Sequence, residues 1–149
     1  MSGVGPQPAE AGSLDSRNGT PGVLYGWNAD DMSAFPEGPH DSGCVAERTR
    51  RVFETPLTAL RTELEHAGAR AYGYRLDWRP LGSPLGATHC VEIPLLLGSA
   101  NAWRNAPMLG DARWAEVDAI GRQVRGTWAT FAHGRNPGPM PAPLTALAH

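Results

Sequence analysis

The chain has 149 residues, enough for one domain, with 41% hydrophobic and 19% charged residues. Its formal charge is −2, and all 13 basic residues are arginine, spread without clusters. That excludes a basic surface for nucleic acid or anionic membranes, and two cysteines exclude a disulfide framework or a four-cysteine zinc site. No apolar run approaches the ~20 residues of a membrane span. The first residues lack the basic-then-apolar pattern of a secretory signal, which gives a cytoplasmic expectation.

Residues 1–22 are half Gly, Pro or Ser, with isolated hydrophobes. Such a segment cannot bury enough surface to offset its ordering entropy, so it is expected to be disordered or linker-like. Val23-Leu24-Tyr25-Gly26-Trp27 is a short apolar run closed by Asn28-Ala29-Asp30-Asp31, as in a buried strand that ends in a polar loop. Residues 36–43, PEGPHDSG, are turn chemistry. From Val45 to Ala67 the pattern is helical, with Phe53, Leu57, Leu60 and Leu64 on one face. Pro56 is expected to divide it, with Thr55 capping a second helix and Gly68 stopping it.

Ala69 to Leu76 alternates with Tyr72, Tyr74 and Leu76 on one side, a strand signature. A Gly- and Pro-rich loop covers Asp77 to Thr88, and Glu92 to Leu97 has room for a single helical turn. Between Asp111 and Gly134 the residues Trp114, Val117, Gly121, Val124, Trp128 and Phe131 follow steps of three and four, a long amphipathic helix. The tail 137–149 alternates proline with small residues and is expected as coil. Strand, helix, strand, long loop, helix is an α/β order, but two strands do not make a self-sufficient sheet.

Three blocks carry a family resemblance. Residues 71–98, AYGYRLDWRPLGSPLGATHCVEIPLLLG, resemble the C-terminal part of type B carboxylesterases, where a strand and loop lead to G-A-x-H-x-x-E-[IL]-P. Residues 23–35, VLYGWNADDMSAF, resemble that family's strand followed by G-x-N-x-D-E. Trp128-Ala129-Thr130-Phe131-Ala132 with Gly134, Asn136 and Pro137 resembles its closing W-x-x-F-A-x-x-G-x-P stretch. The resemblance implies a partial α/β-hydrolase fold, the last strands and helices of the sheet, over residues 23–136.

It also implies roles. His89 matches the histidine that serves as general base, and Asp31 matches the acid that orients it. The family usually has glutamate at the acid position, and chemistry alone does not choose between Asp30 and Asp31. Glu92 resembles a glutamate whose place is that of a hydrogen-bonding partner fixing the loop; ordinary helix-start capping is the other reading. Cys90 reads as a free thiol rather than a nucleophile, and no histidine spacing points to a metal. No cofactor is implied.

The departures from the family bear on activity. Asp31 and His89 lie closer in sequence than in family members, with the shortening around residues 36–45. None of the seven serines (Ser2, Ser13, Ser16, Ser33, Ser42, Ser83, Ser99) sits in G-x-S-x-G, and no H-G-G-G-like run supplies oxyanion donors. The expectation is a carboxylic ester hydrolase segment that contributes acid and histidine but no nucleophile. Alone it would be inactive, and if complemented it would act on a small-molecule carboxylic ester. The alternative is an inactive remnant acting as a binding or assembly partner, whose exposed apolar faces would favour self-association.

Overall fold

The computed structural model describes residues 22–35 and 41–147. The disorder expected for residues 1–22 therefore falls outside the described residues, except for Gly22, which is the first residue of a strand. Strand β1 (Gly22–Asn28) leads into a 3-10 turn (Asp31–Ala34). Helix α1 (Ser42–Thr49) begins at Asp41, whose Oδ1 accepts a 3.0 Å hydrogen bond from Cys44 N. Of the turn expected at 36–43, residues 36–40 lie outside the described residues, and Ser42 and Gly43 are helical because Asp41 caps the first turn.

The expected break before Pro56 does not occur. α1 runs through a π turn (Arg50–Glu54) into α2 (Thr55–His66), and Thr55 has helical angles rather than those of a cap. Pro56 lacks an N–H and its ring crowds the preceding turn. The wider turn, in which Thr55 N–H reaches back to Arg50 O, accommodates it without ending the helix. Gly68 stops α2 with φ +80°, as its position predicts.

Strand β2 (Arg70–Leu76) pairs parallel with β1, Gly26 opposite Tyr74 and Asn28 opposite Leu76. The long loop follows, then α3 (Glu92–Leu97), α4 (Ala100–Trp103), a 3-10 turn (Pro107–Leu109) and α5 (Trp114–Ala132). The tail is not all coil: Leu144–Ala146 forms β3, antiparallel to β2, with Leu144 buried against Leu76. Asp77 just beyond β2 accepts from Thr145 Oγ1 and from Arg75 Nε, which secures this short strand.

The core lies between the sheet and α5. Leu76, Val91, Leu95 and Val117 are fully buried there, with Tyr74 and Trp78 at its edges. Val117, Gly121 and Val124 of the α5 stripe are buried, but Trp128 near its end remains 39% exposed. The apolar face of α2 is also only half covered, with no residue of α2 buried. No helix among the described residues is long and apolar enough to cross a membrane.

Candidate active site

Parallel pairing brings the carboxyl ends of β1 and β2 together, so the turn after β1 and the loop after β2 emerge side by side. Asp31 opens the 3-10 turn after β1 and is 2% exposed. Its Oδ1 lies 2.8 Å from His89 Nδ1, and its Oδ2 accepts a 2.7 Å hydrogen bond from Asn28 N. An ionised carboxylate only accepts, so this contact requires the proton on Nδ1 and leaves the Nε2 lone pair free in the neutral ring. Among the described residues Nε2 has no hydrogen-bond partner. Burial pushes the Asp31 carboxyl above the usual range, opposed by the Asn28 N–H and by His89.

The two adjacent aspartates separate cleanly. Asp30 does not reach His89; its carboxylate binds Arg79 Nε at 2.7 Å and Ala87 N at 2.9 Å. Glu92 sits on the first turn of α3, where its Oε2 accepts a 2.7 Å hydrogen bond from Asn28 Nδ2. The same amide donates to Thr88 O at 2.9 Å, so Asn28 joins β1 to the residue before His89. The sequence reading gave Asn28 no role, although it is the polar residue that closes an otherwise apolar strand and the asparagine of the G-x-N-x-D-E segment.

The histidine is framed by two phenylalanines. Phe35 and Phe53 place their ring centroids 5.4 Å and 5.8 Å from the imidazole, both tilted. Phe53 belongs to the π turn, so the same widened turn that admits Pro56 carries an aromatic ring at His89. An open groove of about 350 Å³ lies beside the imidazole, lined among others by Leu24, Trp27, Phe53, Leu96 and Trp128. A depression of equal size lined by Tyr72, Met140 and Leu147 holds no histidine or carboxylate.

Cys90 follows His89 with φ +68°, the one non-glycine residue with positive φ among the described residues. This left-handed residue separates half-exposed His89 from fully buried Val91. Burial pushes the Cys90 thiol upward, and both cysteines are free. The described residues contain no group of three or more His, Cys, Asp or Glu side chains able to hold a metal ion.

The chain is 33% identical, over 85% of its length, to a probable N-octanoylanthranilate hydrolase (AqdA2) of Rhodococcus erythropolis, and the match covers 32% of that protein. Among solved structures it superposes on PNB esterase with a TM-score of 0.63 at 20% identity, covering 83% of this chain and 31% of that one. The chain spans about a third of the length of both. No family model matches it. The partial α/β-hydrolase fold expected from the sequence blocks is seen in the superposition on PNB esterase, and the curated relative is by its name a hydrolase.

Proposed function

We propose that this esterase-like chain supplies the acid and the histidine of a serine-type carboxylic ester hydrolase, with the attacking hydroxyl coming from polypeptide outside these residues. The observation that carries the reading is the 2.8 Å contact between His89 Nδ1 and the buried carboxylate of Asp31. Asp31 fixes the tautomer, so Nε2 is a base. Nε2 takes the hydroxyl proton as the oxygen attacks the ester carbonyl. The imidazolium then gives that proton to the departing alcohol, leaving an acyl-enzyme. In the second half Nε2 takes a proton from water as its oxygen attacks the acyl carbonyl, and returns that proton to the serine oxygen as the acyl–serine bond breaks and the acid is released. Asp31 stabilises the imidazolium throughout.

The test uses a short-chain nitrophenyl ester. The chain alone is expected to give no turnover. Mixed with the part of the R. erythropolis relative that it does not match, it is expected to give turnover that His89→Ala abolishes. A mixture that stays inert although the two polypeptides co-elute overturns the reading. So does turnover by the chain alone that His89→Ala removes.

A second reading, an assembly partner without catalysis, is favoured by the apolar side chains left on the surface. Val52 and Leu60 are each 45% exposed and Trp128 39%. Concentration-dependent self-association with an inert mixture supports it.

A further inference from the structure

We propose that Asp30 and Arg79 form a positioning clamp that fixes the loop carrying His89, so that Nδ1 stays on Asp31. The proposal rests on the reading of Asp31 and His89 as a working pair. Loop 77–88 has no regular secondary structure, yet His89 at its end must hold a hydrogen bond that lapses beyond about 3.5 Å. Something must therefore fix the loop.

Asp30 does so at two places. Its carboxylate receives both arms of the Arg79 guanidinium, Nε on Oδ2 at 2.7 Å and Nη2 on Oδ1 at 3.0 Å. Its Oδ2 also accepts from Ala87 N at 2.9 Å, while Asp30 N donates to Ala87 O at 2.9 Å. One residue thus engages both main-chain groups of Ala87, two residues before His89, and an arginine near the loop's start. Gly86 admits this approach: it has φ +63°, and a Cβ there would lie 2.4 Å from Asp30 Oδ2. Because Asp30 directly precedes Asp31, the clamp sets the spacing between the acid's turn and the histidine's loop.

The pair has an electrostatic side as well. Asp30 places a second negative charge beside the buried Asp31, and Arg79 offsets it within hydrogen-bond distance. Arg79 is 55% exposed, so the ion pair contributes little to global stability. Its effect is local, which allows the two roles to be told apart.

The experiment is nitrogen-edited NMR of the His89 ring in the full chain, at a pH where the ring is neutral, reading the tautomer from the two nitrogen shifts. In the unaltered protein the Nδ1–H tautomer is expected to dominate, and Asp31→Asn is expected to lose that preference. Asp30→Ala and Arg79→Gln are expected to reduce the Nδ1–H to Nε2–H ratio by about tenfold, equivalent to 1.4 kcal/mol; the urea midpoint barely moves in Arg79→Gln, and falls in Asp30→Ala, which also unpairs the buried Ala87 N–H. Arg79→Lys, which keeps the charge but not the fork, is expected to fall between. If Asp30→Ala fails to fold, the exposed Arg79→Gln carries the test. Unchanged tautomer ratios in Arg79→Gln or in folded Asp30→Ala overturn the clamp alone. A ratio in the unaltered protein that ignores Asp31→Asn overturns the working pair itself.

Discussion

Asn28 and Glu92, 64 residues apart in sequence, meet side chain to side chain at 2.7 Å, the strand end on one side and the helix after His89 on the other. Asn28 is 5% exposed and spends its amide on two acceptors that water does not readily replace. Leaving a buried acceptor unpaired costs roughly 1–3 kcal/mol. Asn28→Ala is therefore expected to lower unfolding stability by about 2 kcal/mol in urea titration, while Glu92→Gln, which retains an acceptor oxygen, is expected to lower it by less. Equal losses from the two variants would contradict the hydrogen-bond account.

The buried Asp31 carboxyl gives a pH signature. Because burial raises its folded-state value above the unfolded one, the neutral form is favoured in the fold. Its contribution to stability is fully present below the ordinary carboxyl range and is lost as pH rises through the raised value. The stability of the unaltered protein relative to Asp31→Asn is thus expected to decline with rising pH across that interval. Chemical denaturation at a series of pH values checks it; a difference that grows with pH would reverse the sign and refute the burial argument.

The contact between β1 and β2 at Gly26 has no room for a side chain. A Cβ there would stand 2.5 Å from Tyr74 O and 2.7 Å from the Tyr74 ring. Gly26→Ala must therefore push the strands apart or displace the tyrosine, at a cost of about 1–3 kcal/mol. The strand ends that carry Asn28 and the Asp31 turn would shift with them, so the His89 tautomer ratio is expected to change along with the urea midpoint.

Neighbouring leucines in α3 offer a contrast. Leu95 is fully buried while Leu97 is 85% exposed. Leu95→Ala is expected to cost about 2–5 kcal/mol, and Leu97→Ala less than about 0.5 kcal/mol. Comparable effects by urea titration would mean that α3 does not pack as described.

Much of this arrangement could be read before any coordinates. The alternation of Tyr72, Tyr74 and Leu76 gave β2, and the apolar stripe from Trp114 to Phe131 gave α5, because each element buries a face whose period is written locally. Asp31 and His89 were singled out by the family resemblance of their flanking blocks, not by any period. Strand β3 was not legible: three residues among prolines have no period, and their order comes from pairing with a strand far away in sequence. The continuity of α1 into α2 was missed because Pro56 signals a break, and only a widened turn reconciles it with helix. Asn28, Asp30 and Arg79 were invisible as a group for another reason. Their partners are main-chain atoms and side chains of a distant loop, which spacing does not encode.

The left-handed backbone at Cys90 limits which substitutions the molecule can absorb there. A β-branched residue tolerates that conformation poorly, so Val, Ile or Thr is sterically filtered out, whereas Gly would relax the backbone and enlarge its freedom. His89 and Val91 flank this one joint, the first half-exposed and the second sealed in the interior. A substitution that shifts the backbone at position 90 therefore moves the exposed imidazole and the sealed interior residue together.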